Sequence, residues 1–234
     1  MVHRVDLFLF SLTGEETQIS PDLQACLPAD ERQHAARFTS PGRAGQWLLT
    51  RALLRRELGR RLPGHPLHFG TLAGGKPCLL DDAWYFNLTH SGDWAVLALC
   101  QEGPVGVDLE LGRRARDLLK LARRFFAPEE SQWLAALPEP SQADGFYRLW
   151  ARKEALLKAH GGGLAAGLEN VIFHPAQEWR LENRLDHHTY EVSDSPFQEG
   201  WLALATRGTH HLAIHWLDER LEICPEPPHL AINL

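Results

Sequence analysis

The residues Gly106-Val107-Asp108-Leu109-Glu110 read as the end of a β-strand. Strand side chains alternate, so Asp108 and Glu110 share one face and Val107 and Leu109 take the other. About forty residues later, Trp150-Ala151-Arg152-Lys153-Glu154-Ala155-Leu156-Leu157-Lys158-Ala159 reads as a helix. Trp150, Glu154 and Lys158 fall at i, i+4 and i+8, on one stripe of it. Taken separately, both segments have plain readings: a solvated strand end, and a surface i,i+4 pair contributing about 0.3 kcal/mol. A fold that sets the strand end against the helix stripe instead gathers three carboxylates and one ammonium around a small volume. Carboxylate oxygens with no His or Cys beside them suit a hard cation such as Mg²⁺, which keeps waters and favours substrate phosphates. The combination points to phosphate chemistry at a metal.

The flanking pattern alternates helix and strand. Val5–Phe10 alternates as a strand does, Pro28–Phe38 reads as a helix with Asp30 and Glu31 early in it, and Arg43–Arg61 reads as a longer helix. Gly74-Gly75 before Lys76-Pro77 marks a turn, and Trp84–Leu88 with Trp94–Cys100 reads as a hairpin around Ser91-Gly92-Asp93. Val105–Glu110 is the next strand. Further on, Ala115–Phe126 and Pro128–Leu137 read as helices, Pro138–Ser141 as a loop, and Gln142–His160 as a long helix stopped by Gly161-Gly162-Gly163. Strands are expected near Val171–Phe173, His187–Val192, Trp201–Ala205 and His211–Trp216, then an irregular Pro-rich tail after Cys224. The class is α/β (α+β), with residues 1–112 and 113–234 each reading as helix material followed by strands.

With 44% apolar and 23% charged residues and a net charge of −6, the chain is expected to be a soluble globular protein that binds neither nucleic acid nor membrane. Asp6 interrupts the start where a signal peptide would need an apolar run. Cys26, Cys78, Cys100 and Cys224 are scattered with no C-x-x-C pair and read as reduced thiols of a cytoplasmic protein. Adjacent strand residues face opposite ways, so His187-His188 and His210-His211 are poor bidentate metal sites and read as surface residues.

Four motifs in order carry a resemblance: Gly75-Lys76-Pro77, Phe86-Asn87-Leu88-Thr89-His90-Ser91, the Gly106–Glu110 strand, and the Trp150–Lys158 helix with Gly161 after it. Over roughly Arg37 to Phe173 the chain resembles the Sfp-type 4′-phosphopantetheinyl transferases. The resemblance implies two similar α/β halves related by a pseudo-two-fold, with the active site at their interface. It implies that Asp108, Glu110 and Glu154 hold Mg²⁺ against the pyrophosphate of coenzyme A. It implies that Glu154, or a water it orients, takes the proton of an attacking serine, and that Lys158 steadies charge on the transferred and departing phosphates. His90, which alone reads as a turn histidine, would contact a coenzyme A phosphate with help from Thr89. Lys76 and Pro77 would line the adenine pocket. Arg37, Arg43 and Arg51 lie where relatives place basic residues for the 3′-phosphate, Arg43 first among them, or they are ordinary surface arginines. Around Glu31 and His34 the chain departs from relatives that carry lysines.

The implied reaction moves 4′-phosphopantetheine from coenzyme A to a serine of an apo acyl or peptidyl carrier protein, releasing 3′,5′-ADP. The length and the two-half pattern predict a monomer. Two other readings compete: a non-catalytic relative that binds coenzyme A or a carrier, and a metal-dependent phosphodiester hydrolase. The segment Arg113–Arg124 places six basic residues in twelve positions of an acidic chain. It is either a solvated face or a docking stripe for an acidic carrier helix.

Overall fold

The computed structural model describes residues 2–12, 21–80, 84–111, 117–175, 179–218, 220–227 and 230–234. In chain order these form β1 (Val2–Ser11), α1 (Pro21–Ala25), α2 (Ala29–Ala35), α3 (Pro41–Arg61), β2 (Phe69–Thr71), β3 (Pro77–Leu79), β4 (Tyr85–Ser91), β5 (Trp94–Cys100) and β6 (Val105–Glu110). They continue with α4 (Leu118–Phe125), α5 (Pro128–Ala136), α6 (Glu139–His160), β7 (Val171–His174), β8 (Arg180–Asn183), β9 (Glu191–Phe197), β10 (Gly200–Thr206), β11 (Thr209–Leu217) and β12 (Ile223–Cys224). The class is mixed α and β, as the pattern predicts. None of the helices is long and apolar enough to cross a membrane, among the described residues.

Two sheets carry the architecture, ordered β12-β11-β1-β5-β4 and β6-β10-β9. Alternation sorts each strand between two cores. On β1, Val5, Leu7 and Leu9 enter a core shared with Val107 and Leu109 of β6 and Leu202 and Leu204 of β10. Its Phe8 and Phe10 enter another, built with Leu49, Leu53 and Leu58 of α3. On β10, Ala203 and Ala205 face a third core, with Ala151, Ala155 and Ala159 of α6. The layers thus run α3, first sheet, second sheet, α6. Within the first sheet β1 and β11 are parallel, although Val5 and Leu212, which face each other there, lie at opposite ends of the sequence.

The structure corrects four local expectations. Pro138–Ser141 is not a loop: α6 begins at Glu139, because the first turn of a helix needs no intrahelical N–H and so admits Pro140. The strand expected at His187–Val192 runs Glu191–Phe197 instead. Asp186 Oδ1 accepts from Asn183 Nδ2 at 2.8 Å and from the His188 N–H at 3.0 Å, which folds the preceding residues into a turn. The helix expected at Pro28–Phe38 stops at Ala35. His210 is not a surface residue: its side chain is 5% exposed, with Thr206 Oγ1 at 2.8 Å and Ser193 Oγ at 3.1 Å.

Two features place α6. Glu130 and Lys153, both wholly buried, pair at 2.7 Å. The Glu130 oxygens accept from the N–H groups of Ala127 and Phe173, and Lys153 donates to the carbonyls of Leu168 and Val171, so α5, α6 and β7 are locked at one point. Gly106 of β6 then lets the helix approach closely: a Cβ there would stand 2.0 Å from the Ala155 carbonyl oxygen and 2.4 Å from the Ala159 nitrogen. Backbone on both sides leaves nothing to yield. Gly106→Ala should therefore lower stability by about 1–3 kcal/mol or more in urea denaturation. Gly59→Ala, where an added Cβ meets nothing within 4 Å on α3, should raise it by about 0.5–1 kcal/mol. A Gly106→Ala protein as stable as its parent would contradict the close approach.

Candidate functional site

The edges of β4 and β6 face each other without a backbone ladder between them, since the two strands belong to different sheets. Side chains fill the gap. Asn87 Oδ1 accepts from the Val107 N–H at 2.8 Å, Thr89 Oγ1 from the Leu109 N–H at 3.3 Å, and Ser91 Oγ from the Leu111 N–H at 2.8 Å. Alternate residues of β4 thus bind alternate residues of β6 in a fixed register. The sequence does carry the signal, as three polar residues at every second position of one strand. The motif reading weighed only Thr89 and His90.

This junction floors a cavity of about 790 Å³. Its polar lining includes Thr89, His90, Asp108, Glu110, Glu154 and Lys158. The strand end and the helix stripe read from the sequence therefore meet around one volume. Its apolar lining includes Trp150 of the same stripe and, not revealed by the motifs, Leu118 and Leu121 of α4 with Phe146 and Tyr147 of α6. Phe146 and Trp150 stack, with ring centroids 5.6 Å apart. Lys158 Nζ donates to Asp108 Oδ1 at 2.5 Å, to the Val107 carbonyl at 3.2 Å and to Thr89 Oγ1 at 3.3 Å.

The donor set fits a hard cation. Asp108 Oδ2 is buried without a hydrogen-bond partner. Burial, and then the charge of Asp108, push the Glu154 carboxyl up to about 7, with Lys158 acting in the opposite direction. The site is thus short of positive charge, and the atom left without a partner, Asp108 Oδ2, is a carboxylate oxygen. The carboxylates are not drawn into one coordination sphere: among the described residues no three His, Cys, Asp or Glu side chains stand ready to hold an ion together.

The remaining expected residues lie elsewhere. Lys76 and Pro77 do not line the cavity. Lys76 Nζ donates to the Val105 carbonyl at 2.7 Å, and burial pulls its pKa down to about 8. Arg43 is exposed in the first turn of α3, and Arg37 is exposed after α2. Arg51 has a partner inside the protein. Its Nε donates to Glu31 at 2.6 Å, Arg55 Nε donates to the same carboxylate at 2.7 Å, and the Arg51 guanidinium lies 3.7 Å from the Phe69 ring centre. Burial alone would raise the Glu31 pKa, but the bonds from Arg55 and Arg51 outweigh it and lower the value. The acid that departs from the relatives' lysines is thus a buried clamp on α3. Of the basic stripe, Arg113, Arg114 and Arg116 lie outside the described residues, while Lys120, Arg123 and Arg124 are exposed on α4.

The Glu154 carboxyl binds its proton more tightly in the folded protein than in the unfolded chain. Its contribution to stability is present below the ordinary value of 4.5 and is lost as pH rises toward 7. Glu154→Gln removes that titration. In chelator-treated protein the variant should melt above its parent at about pH 8, and the gap should close near pH 5. Mg²⁺ should raise the melting temperature of the parent at the higher pH and leave the variant nearly unmoved; each kcal/mol is about 2–4 °C for a chain of this size. Parallel melting curves at both pH values would reject the strained carboxyl.

Comparison with known proteins identifies a family. A family model described as the 4′-phosphopantetheinyl transferase superfamily matches residues 104–214, which include Asp108, Glu110, Glu154 and Lys158. A Synechocystis protein provisionally described as a 4′-phosphopantetheinyl transferase, slr0495, is 40% identical over 216 residues, 88% of this chain and 85% of its own. The Nostoc 4′-phosphopantetheinyl transferase HetI is 38% identical over 167 residues, 69% of this chain and 70% of its own. The Bacillus subtilis 4′-phosphopantetheinyl transferase Sfp is 34% identical over 174 residues, 70% of this chain and 76% of its own. With its acidic strand end and its Glu154–Lys158 helix face brought around one cavity, the chain belongs to the 4′-phosphopantetheinyl transferases.

Proposed function

We propose that the protein transfers 4′-phosphopantetheine from coenzyme A to a serine of an apo acyl or peptidyl carrier protein, with Mg²⁺, releasing 3′,5′-ADP. The observation that carries this reading is the convergence of Asp108, Glu110, Glu154 and Lys158 on a cavity that apolar side chains also line. A pyrophosphate with a long neutral arm needs both kinds of lining. Asp108, Glu110 and Glu154 would hold Mg²⁺, which supplies positive charge against the pyrophosphate. The serine oxygen bonds to the phosphorus that carries the pantetheine arm, and the bond from that phosphorus to the departing 3′,5′-ADP breaks. Glu154, ionised above about pH 7 in the free protein, accepts the serine proton directly or through a water. The Lys158 ammonium, fixed by its bond to Asp108, stabilises charge that grows on the phosphate oxygens. His90, exposed at the cavity edge, is assigned to a coenzyme A phosphate, and exposed Arg43 to the 3′-phosphate. The length of the chain supports a monomer as the working unit.

Intact-mass spectrometry of apo carrier proteins incubated with the protein, coenzyme A and Mg²⁺ tests the reading. The expected signal is a gain of one phosphopantetheine. Free phosphopantetheine would indicate a hydrolase, and no change would indicate a binding protein. Asp108→Ala should lower turnover by about 10²–10⁴ with the fold retained. Lys158→Ala should remove about 2–4 kcal/mol of transition-state stabilisation, seen in kcat more than in KM for coenzyme A. Full activity in either variant would sink the assignment.

Carrier docking on the basic face of α4 is part of the same proposal. Lys120, Arg123 and Arg124 are exposed on the helix whose Leu118 and Leu121 line the cavity, so an acidic partner helix drawn to them arrives beside it. Reversing Lys120 and Arg124 together to Glu should lower kcat/KM for an acidic carrier about ten-fold while coenzyme A affinity holds, and added salt should shrink the difference. Unchanged carrier kinetics would remove α4 from the docking surface.

A further inference from the structure

We infer that Asp194 is a positioning residue for the transfer: by holding Arg148 and Arg152 on the sheet rung that carries Asp108, it fixes where the Glu154–Lys158 face of α6 stands. Arg148 Nε donates to Asp194 Oδ2 at 2.5 Å, Arg152 Nη1 donates to Asp194 Oδ1, and Arg152 Nη2 reaches the Val192 carbonyl at 3.5 Å. The Asp194 side chain is 4% exposed and that of Arg152 is 6% exposed. Ala203 of β10 stands opposite Asp194 of β9 on one side and opposite Asp108 of β6 on the other. Residues directly opposed in a sheet share a face, and Ala203 faces α6. Two aspartates therefore point at the helix from one rung, two strands or ~9.5 Å apart. Lys158 meets Asp108 and Arg152 meets Asp194. The rise of α6 from Arg152 to Lys158 is ~9 Å. The helix thus spans the rung with a cation over each carboxylate.

The surface beneath the helix gives little resistance to sliding. Gly106, Ala203 and Ala205 on the sheet face Ala151, Ala155 and Ala159 on the helix. Small residues form low ridges, which set how near the helix lies more firmly than where it stands along its axis. The buried Glu130–Lys153 pair ties α6 to α5 and β7, which are not part of this sheet. The Trp201 indole donates to Asp144 at 2.9 Å, but near the start of α6 and far from Glu154. The Lys158–Asp108 bond does join helix to sheet, yet it is shared with the reaction, in which Asp108 also serves a cation and Lys158 the phosphate oxygens. The Asp194 pairs lie outside the cavity and carry no such second duty. They also oppose rolling. Around the helix axis Arg148 and Arg152 stand about 120–160° from Glu154 on one side, and Lys153 about 100° on the other. A roll in either direction that moves Glu154 stretches one of the two anchors.

The catalytic consequence rests on the transferase reading; the placement of the helix does not. Arg148→Met, Arg152→Met and Asp194→Leu, combined in one protein, replace the buried charges by apolar side chains. Such exchanges tend to keep or raise stability, whereas removing one partner alone leaves a buried charge. Arg152 Nε is buried without a partner, so little is given up there, and methionine keeps contact with the Trp179 and Trp201 rings beside Arg148. The fold stays and the directional bonds go. Three quantities are read: the melting temperature, kcat and KM for coenzyme A well below melting, and the backbone amide shifts of Asp108 and Lys158 by NMR. Positioning predicts a melting temperature no lower than the parent's, kcat lowered about ten-fold or more, KM for coenzyme A within about three-fold, and both amides moved. A clamp that only stabilises predicts activity that follows stability instead. Should the triple variant not fold, Asp194→Asn, measured where it and the parent are both folded, takes its place with the same expected kcat and amide changes. A kcat within about two-fold of the parent's, or unmoved amides at Asp108 and Lys158, would overturn the inference. If the parent transfers nothing at all, the functional reading has failed, and the amide shifts alone decide whether Asp194 places the helix.

Discussion

Everything at the site follows from how closely α6 can lie on β6. Gly106 presents no side chain to the helix, and Ala151, Ala155 and Ala159 present the smallest ones on the facing stripe. Helix backbone and strand backbone come nearly into contact, and the long side chains that flank this bare track, Glu154 and Lys158, are carried forward onto Asp108. The buried Glu130–Lys153 pair acts on the same helix from its other side. Breaking such a pair by removing one partner leaves a buried charge uncompensated and is strongly destabilising, by about 3–5 kcal/mol. Lys153 precedes Glu154, so one residue anchors the helix inward while the next faces the cavity.

The chemistry of the site was more legible in the sequence than its construction. Periodicity alone placed Asp108 and Glu110 on one strand face and Trp150, Glu154 and Lys158 on one helix stripe, and all five line the cavity. Local backbone rules worked where side chains alternate or a glycine stops a helix, as at Gly161, whose φ of 88° ends α6. They failed where a residue had two allowed uses. Pro140 breaks a helix interior but suits a first turn, and only the packing of α6 decides which applies. Other features depended on partners distant in sequence. Glu31 looked like a lost phosphate contact until Arg51 and Arg55, twenty and more residues later, closed on it. The polar alternation of Asn87, Thr89 and Ser91 was there to be read, but its pairing with β6 was not, because a polar residue on a strand names no partner.

The electrostatics of the cavity are unusual for a place proposed to receive a polyanion. Three acids line it, and the ammonium among them is already bonded to Asp108. Left to themselves, the acids repel one another and any phosphate. Burial sharpens this, because a low dielectric strengthens repulsion as much as attraction. Burial first, and then the charge of Asp108, raises the Glu154 carboxyl, and the same enclosure leaves an Asp108 oxygen without a partner. A divalent cation would relieve the repulsion and reverse the sign of the site toward phosphate. Metal and nucleotide binding are therefore expected to be coupled, each favouring the other.

The parallel pairing of β1 with β11 also governs how the molecule can be made. β1 lies in the middle of its sheet, with β5 on one side and β11 on the other. Val5 meets Cys100 early in synthesis but Leu212 only near the end. At ribosomal speeds of about 5–20 residues per second, the second edge of β1 waits roughly ten to forty seconds for its partner. During that interval a strand that carries Leu7, Phe8, Leu9 and Phe10 exposes unpaired N–H and C=O groups, the template on which foreign strands add. Late closure of this sheet is the step at which a nascent chain is most open to mispairing and to chaperone capture.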